Sequence, residues 1–272
     1  MTESVSLALD KLLYQLGQAG LRLFESGSAE GAAGNMSVCV RKPFDVSAMF
    51  PQGQTIELPH HSPELAGMML IVTGSGRRLR EVAEAPLANL ACILVEEGGR
   101  NAKQFTSSQA QFKRVTSEFN SHLAVHADRM REGNVNLHTV LHAQPLHLTM
   151  LSHQTEYQNE KFLNQHLLRW QPETIANMPE GIGMIPFLMP GSAQLTVETK
   201  LALREHQIVV WARHGVMARA DNSILHALDL IEYAETAAHY ETLSLLTDGS
   251  GGLSAEEIRE ICEYWKIKQS IF

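Results

Sequence analysis

The segment from Asn134 to Pro145 constrains the fold most, because it reads as a buried strand that ends in a histidine and an amide. Side chains two positions apart on a strand share a face, so His142 and Gln144 lie on the same side, roughly 6.6 Å apart along the backbone. That spacing allows both side chains to converge on one metal ion. His138 shares the face but lies roughly 13 Å from His142, too far to share the ion. The segment therefore predicts a strand with a metal site at its end, in which one strand ligand is an amide.

The remainder of the chain alternates strand-like and helix-like segments, with no repeat or low-complexity linker. Predicted strands cover residues 36–40, 68–72, 90–96, 135–144 and 207–211. Predicted helices cover an N-terminal segment ending near 26–28, and residues 117–130, 146–152, 192–205, 224–246 and 254–265, the last with a capping box. Residues 41–66 are predicted to be mostly loop or irregular hairpin, and Asp221 or Asn222 to cap the helix at 224. We therefore expect residues 1–272 to form a single α/β domain, with a mixed, mainly antiparallel sheet flanked by helices.

Composition excludes several classes of protein. Hydrophobic residues at 44% and charged residues at 19% are ordinary for a folded globular chain, so disorder is not expected. A net charge of −8 argues against nucleic-acid and membrane partners. The three cysteines, Cys39, Cys92 and Cys262, contain no CxxC pair, which fits a reducing compartment. No signal-like segment begins the chain, so we expect a cytoplasmic location.

Five short segments carry residue types suited to chemistry. They are Gly34-Asn35-Met36-Ser37, Thr73-Gly74-Ser75-Gly76, Thr116-Ser117-Glu118, His142-Ala143-Gln144 and Arg213-His214-Gly215. Taken singly, each is more often a tight turn, a helix cap or a strand-end histidine. Glycine turns and helix starts also supply backbone N–H groups, which with the hydroxyls of Ser75, Thr116 and Ser117 can hold a phosphate without lysine. As an ordered set, the segments favour a functional site.

This set resembles the class II, zinc-dependent sugar-phosphate aldolase family, and within it the rhamnulose-1-phosphate aldolases, from about residue 20 to residue 245. The resemblance implies that Gly34, Asn35, Thr73 to Gly76, Thr116 and Ser117 bind the substrate and its phosphate. It also implies that His142 and His214 are metal ligands and that Glu118 is catalytic. Glu173 is similar to a second acidic residue that this branch carries in mid-chain. Members are commonly cyclic tetramers with sites at subunit contacts, so a homotetramer is implied as well.

Two departures from the family pattern bear on the site. Gln144 stands where the family has its second metal histidine, and Ala32 and Ala33 replace an asparagine and a glycine. An amide oxygen is a weak, hard ligand that suits magnesium or manganese better than zinc. Three outcomes are therefore open: a weakened zinc site, a site for a harder metal, or a site without metal. His138 or His147 are candidates to compensate, although strand geometry disfavours His138.

The resemblance implies an aldol cleavage of a ketose 1-phosphate such as L-rhamnulose 1-phosphate, giving dihydroxyacetone phosphate and L-lactaldehyde. This cleavage leaves an enediolate, whose charge a divalent cation can stabilise, while a carboxylate such as Glu118 moves the proton. One alternative is a related reaction on a sugar phosphate, namely epimerisation, decarboxylation or dehydration. Another is a non-catalytic scaffold whose metal site has degenerated at Gln144.

Overall fold

A nine-stranded sheet forms the centre of the computed structural model, which describes residues 2–221, 223–247, 251–269 and 271–272, and only the backbone of residues 2–8. The strands are β1 (Asn35–Val40), β2 (Gln52–Glu57), β3 (Met69–Thr73), β4 (Leu90–Val95), β5 (Asn101–Thr106), β6 (Leu137–Ala143), β7 (Gly183–Ile185), β8 (Ile208–Trp211) and β9 (Gly215–Asp221). Their order across the sheet is β2-β5-β4-β3-β1-β6-β9-β8-β7. Neighbouring strands are antiparallel except β7 and β8, which are parallel.

Helices cover both faces of the sheet. They are α1 (Thr2–Glu25), α2 (Glu81–Glu84), α3 (Pro86–Asn89), α4 (Phe119–Met130), α5 (Leu146–Leu151), α6 (Glu160–Leu167), α7 (Pro172–Asn177), α8 (Ala193–Glu205), α9 (Ile224–Leu245) and α10 (Ala255–Trp265). The largest core lies between one face and the long helices α1 and α9, and two smaller cores lie under α4 and α8 on the other face. Within the described ranges, no helix is both long and apolar enough to cross a membrane.

Strand β1 positions the site because it lies at the middle of the sheet, between β3 and β6. Its side chains alternate between the faces, as in any strand. Met36 and Val38 enter the core beneath α1 and α9, and Cys39 enters the core beneath α4. Asn35, on the α4 side, pairs in register with His142 of β6. The pairing brings two of the predicted site segments together at one end of the sheet.

The predicted fold class is confirmed, and the differences have local causes. Residues 41–66 were predicted to be mostly loop, but they contain β2, an edge strand paired with β5 whose side chains are nearly all exposed. An edge strand without a buried face has no hydrophobic alternation to reveal it. Helix α9 is capped by the Ser223 hydroxyl, which accepts from the Leu225 N–H, rather than by Asp221. The alternative cap, Asn222, lies outside the described residues.

Candidate metal centre

Glu118, His142 and His214 bring three potential ligand atoms within 4.8 Å of one another. The His142 Nε2 atom lies 3.5 Å from one Glu118 carboxylate oxygen, and the His214 Nε2 atom lies 3.6 Å from the other. The side chains come from three separate elements: the start of α4, the end of β6, and the turn between β8 and β9. Two imidazoles and a carboxylate are a common ligand set for a catalytic divalent cation.

His142 is held with its Nε2 atom toward the site. Its Nδ1 atom lies 2.7 Å from the Val216 carbonyl oxygen, and because a carbonyl only accepts, Nδ1 must carry the proton. The Nε2 atom faces Glu118 and is the ring atom placed to bind a cation. The ring also stacks on Trp211, with 4.8 Å between ring centroids. A backbone carbonyl that orients a histidine in this way is the usual outer partner of a metal-binding imidazole.

His214 projects from the tight turn between β8 and β9. Its backbone N–H donates to the Trp211 carbonyl and closes the turn. Arg213, just before it, adopts a left-handed φ of 65°, and the Arg213 N–H donates to the Ser152 hydroxyl. The His214 ring lies 5.0 Å from the His142 ring. Burial, followed by repulsion from His142, lowers the pKa of His214, so the ring favours the neutral form that binds a cation.

Glu118 lies at the N-cap of α4, where the helix dipole favours a negative charge. Its carboxylate accepts a 2.7 Å hydrogen bond from the Asn35 amide. Burial acts to raise the pKa of Glu118, but His142, the Asn35 amide and His214 outweigh it, and the net pKa is lowered. The side chain is therefore an ionised carboxylate, able to bind a cation or accept a proton.

Gln144, His147 and His138 lie in different surroundings. Gln144 follows the last residue of β6, is half-buried, and lines the same cavity as His142 and His214. His147 points elsewhere: its Nδ1 atom lies 2.7 Å from a carboxylate oxygen of Glu235, and its ring stacks on His239. His138 is fully buried against His126. Of these three residues, Gln144 is the one that lines the cavity beside the three-ligand cluster.

A cavity of about 260 Å³ adjoins the cluster and contains most of the predicted substrate-binding residues. Those that line it are Gly34, Asn35, Gly74, Ser75, Gly76, Thr116, Ser117 and Glu118. Gly34 is required here: its φ is +80°, and a Cβ would lie 2.9 Å from the His142 carbonyl oxygen. Ala32 and Ala33 also line the cavity, so the first replacement removes a polar side chain from its wall and the second adds a methyl group.

Thr73 does not line the cavity, contrary to its predicted role in phosphate binding. It is buried, and its hydroxyl accepts from the Met36 N–H and donates to the Met36 carbonyl, which joins β3 to β1. The N–H groups of Gly74 and Ser75 are also used, because they donate to the Asn89 and Arg114 carbonyls. The donors that remain in this turn are the Ser75 hydroxyl and the Gly76 N–H.

Thr116 and Ser117 supply further hydroxyls from the segment that is hydrogen-bonded to this turn. The Thr116 Oγ1 atom accepts from the Glu118 N–H at 3.3 Å, so its own proton is available to a ligand. Ser117 is exposed to the cavity. Arg77, which was not predicted, also lines the cavity, and its guanidinium is held by Asn89 and Glu81. In the sequence, the only indication that Arg77 lines the cavity is its position directly after Gly76.

Glu173 is not brought to this site. It lies in the first turn of α7, is exposed, and is not among the residues that line the cavity. Sequence reasoning missed His122 and His126, which follow Glu118 at intervals of four residues and lie buried behind the cavity. Three polar residues at one-turn spacing on a buried helix were the signal that could have revealed them.

Comparisons with known proteins point to one family. The family model described as Class II Aldolase and Adducin N-terminal domain matches residues 14–242. Rhamnulose-1-phosphate aldolase from Listeria monocytogenes serotype 4a is 30% identical over 216 residues, which are 79% of this chain and 78% of that protein. The protein of the same name from Bacteroides thetaiotaomicron is 28% identical over 262 residues, which are 93% of this chain and 94% of that protein.

Solved structures show the same architecture. A sugar-phosphate aldolase from Thermotoga maritima superposes with a TM-score of 0.75 at 26% identity, over 90% of this chain and 98% of that one. A putative aldolase/epimerase/decarboxylase from Escherichia coli superposes with a TM-score of 0.65 at 19% identity, over 92% of this chain and 97% of that one. The second likeness, at its low identity, concerns the fold alone.

Proposed function

The chain belongs to the class II aldolase and adducin family, and from this premise we propose that it is a metal-dependent aldehyde-lyase acting on a ketose 1-phosphate. The preferred substrate is L-rhamnulose 1-phosphate, cleaved to dihydroxyacetone phosphate and L-lactaldehyde, as the names of the curated relatives suggest. The observation that carries the proposal is the convergence of Glu118, His142 and His214 beside a cavity lined by small polar residues.

The residues present fit a divalent cation. His142 and His214 offer Nε2 atoms, Glu118 offers a carboxylate, and Gln144 offers an amide oxygen on the same cavity wall. A cation bound there would act as a Lewis acid on the substrate oxygens next to the bond that breaks. Zinc is the preferred cation because two ligands are imidazoles, while the amide of Gln144 also suits manganese or magnesium.

Glu118 accepts or returns the proton that the bond change requires, because it is ionised, buried and adjacent to the cavity. The substrate phosphate binds where Ser75, Gly76, Thr116 and Ser117 converge. These donors are neutral and hold the phosphate by directed hydrogen bonds, while the Arg77 guanidinium in the same cavity lining, partly paired with Glu81, adds a local positive charge to a chain of net charge −8.

Glu173 acts, in this proposal, on the site of a neighbouring copy in a homotetramer. Its exposed position on α7, away from its own cavity, is what a residue contributed across a subunit contact requires. The Glu173→Gln variant mixed with an inactive His142→Ala variant tests the assignment. If subunits exchange, mixed oligomers should recover activity, because some sites then combine an intact metal cluster with an intact Glu173. Absence of recovery in demonstrably mixed oligomers would place Glu173 outside the reaction.

Purified protein loaded separately with zinc, manganese and magnesium should release dihydroxyacetone phosphate from L-rhamnulose 1-phosphate. L-Fuculose 1-phosphate and a pentulose phosphate serve as the comparison substrates, since they separate the preferred aldolase from a related aldolase or an epimerase. The His142→Ala variant should be inactive with every metal. No release by the parent protein with any of them would refute the aldolase.

A non-catalytic scaffold is the second candidate, and Gln144 is the observation that favours it. Elemental analysis separates the two candidates, because a scaffold would contain no stoichiometric divalent ion and take none up. A 1:1 content of metal that is lost in His214→Ala would instead support the lyase.

A further inference from the structure

A continuous row of buried hydrogen bonds leads from the Glu118 carboxylate into the core beneath α4. Its members, in order, are Glu118, Asn35, His122, Ser37, His126 and His138. The donor to acceptor distances along the row are 2.7, 2.5, 2.7, 2.7 and 2.8 Å. Every member is at least nine-tenths buried, so solvent does not satisfy these groups.

Three regular elements build the row: β1, α4 and, at the far end, β6, which carries His138. Asn35 and Ser37 lie two positions apart on β1 and share its α4 face. Glu118, His122 and His126 lie at intervals of four on α4 and share its inward face. Two residues of a strand span roughly 6.6 Å, and four residues of a helix span roughly 6.0 Å. Because these spacings nearly match, the polar side chains of β1 and α4 interleave without distortion.

The proton positions in the first half follow from the inventory of donors. Glu118 is a carboxylate and only accepts, so the Asn35 NH₂ group must face it. The Asn35 carbonyl oxygen must then face His122 and accept from its Nε2–H. Burial lowers the pKa of His122 to about 3, so the ring is neutral and its Nδ1 is bare. Ser37 therefore donates its hydroxyl proton to His122.

The hydrogen bonds in the second half of the row, beyond Ser37, also donate toward Glu118. The Ser37 oxygen, having given its proton to His122, must accept from the His126 Nε2–H. Burial lowers the pKa of His126 and of His138 well below the usual value, so both are neutral as well. The His126 Nδ1 is then an acceptor, and His138 donates from its own Nδ1. The His138 Nε2 is left as a bare lone pair, which costs less when buried than an orphaned N–H.

We infer that His122 is a positioning residue: together with Ser37 and His126, it orients the Asn35 amide so that its NH₂ group, and not its oxygen, faces Glu118. A rotated Asn35 would place its oxygen against the carboxylate, and both groups would then lack a donor. The row does not conduct protons to Glu118, because a side-chain amide cannot accept a proton at one end and release one at the other without leaving its stable form. The inference rests on the proposed catalytic role of Glu118, whereas the directions of the hydrogen bonds do not.

Neutron diffraction from deuterated crystals at neutral pH tests the directions of these hydrogen bonds, and the result does not depend on which reaction the protein catalyses. We expect deuterium on Nε2 of His122 and His126, on Nδ1 of His138, and on the Asn35 nitrogen facing Glu118. Deuterium on Nδ1 of His122, or an Asn35 oxygen facing Glu118, would overturn the inference even if the protein proves to be an aldolase.

Steady-state kinetics test whether the orientation that His122 gives to Asn35 matters for turnover. The His122→Leu variant should lower kcat by about 10- to 100-fold, as loss of an outer partner does at other sites, with KM changed by less than about threefold. The His122→Gln variant keeps one N–H for Asn35 and one oxygen for Ser37, so it should recover kcat to within about threefold of the parent. His153→Leu, at an exposed position, is the matched control and should change nothing.

The outcomes separate the positioning role of His122 from the proposed aldolase function. Parental kcat in a folded His122→Leu variant would overturn the positioning role while leaving the aldolase intact. Equal losses in His122→Leu and His122→Gln would also overturn it, because a loss that the amide cannot rescue reflects packing. An inactive parent would refute the proposed function, and the neutron directions would still decide the hydrogen-bond row. If His122→Leu does not fold, Ser37→Ala takes its place, with the same expected fall in kcat at unchanged KM.

Discussion

Three buried histidines, His122, His126 and His138, should make the folded protein sensitive to mild acid. Burial lowers the pKa of each, to about 3 for His122 and well below the usual value for the other two. In the unfolded chain the same groups titrate near the ordinary value, roughly 6.5. Between the folded and unfolded pKa values, the unfolded state binds protons that the folded state does not. Stability therefore falls as the pH drops below about 6.5.

The magnitude follows from the linkage relation. A group that stays neutral when folded, with an unfolded pKa of about 6.5, destabilises the fold by about 1.4 kcal/mol at pH 5.5 and about 0.2 kcal/mol at pH 7. Three such groups together remove about 4 kcal/mol between pH 7 and pH 5.5. That is a large part of the roughly 5–15 kcal/mol available to a typical folded protein.

Equilibrium urea unfolding at pH 7 and pH 5.5 measures the effect. Other histidines also contribute: burial lowers the pKa of His214, whereas for His206 burial is outweighed by Glu160 and the pKa is raised. His206 therefore stabilises the fold below its unfolded pKa, which is the opposite sign. A comparison between variants cancels these shared contributions.

Between pH 7 and pH 5.5 the His126→Gln variant should lose about 1.2 kcal/mol less stability than the parent, whatever its stability at pH 7, because one of the three buried groups no longer titrates. The control is His153→Gln, which removes an exposed histidine and should leave the pH dependence unchanged. An identical pH dependence in His126→Gln and the parent would refute the reasoning, since it would mean that His126 already binds a proton when folded.

Three further perturbations test the site. Gln144→His should tighten zinc binding by about 10- to 100-fold in a chelator competition, since an imidazole replaces a weak amide. An unchanged zinc affinity would place the ion elsewhere. His147→Gln is the matched control. Glu118→Gln should lower kcat by about 10²- to 10⁴-fold with an unchanged circular dichroism spectrum, because it removes proton transfer and little packing; retained turnover would contradict its role. Ala32→Asn should lower KM for a phosphorylated ketose by roughly fivefold, because one added hydrogen bond contributes about 1 kcal/mol. An equal change in KM for the unphosphorylated sugar would show that the new amide does not contact the phosphate.

The parts of the fold with a clear periodic signal were predictable from the sequence. The antiparallel sheet, the long helix α9 and the capping box of α10 were all expected near their observed positions. Strand β9 was not singled out, because Arg219 and Asp221 interrupt its apolar run. Helices α6 and α7 were missed as well, since each is short and their segment is rich in polar residues.

The candidate site was predictable only where local motifs carry it. His142, His214 and Glu118 were found from their segments, but their meeting depends on sheet order, which one sequence does not reveal. Thr73 was misjudged because its motif did not show that its hydroxyl is bonded to β1. A location in the cytoplasm and the homotetramer stay predictions.

The buried row behind Glu118 bears on the choice between lyase and scaffold. A buried polar group is stable only when its partners are all in place, and apolar side chains of similar size would stabilise the same space at least as well. Asn35, Ser37 and the three histidines make a connected set whose one evident result is an ionised, oriented Glu118. A scaffold has no use for that carboxylate, whereas the two departures, Gln144 and Ala32, lie on the cavity wall and leave the row intact. The physical cost of the row therefore favours retained proton chemistry with an altered choice of metal or substrate, rather than a site in decay.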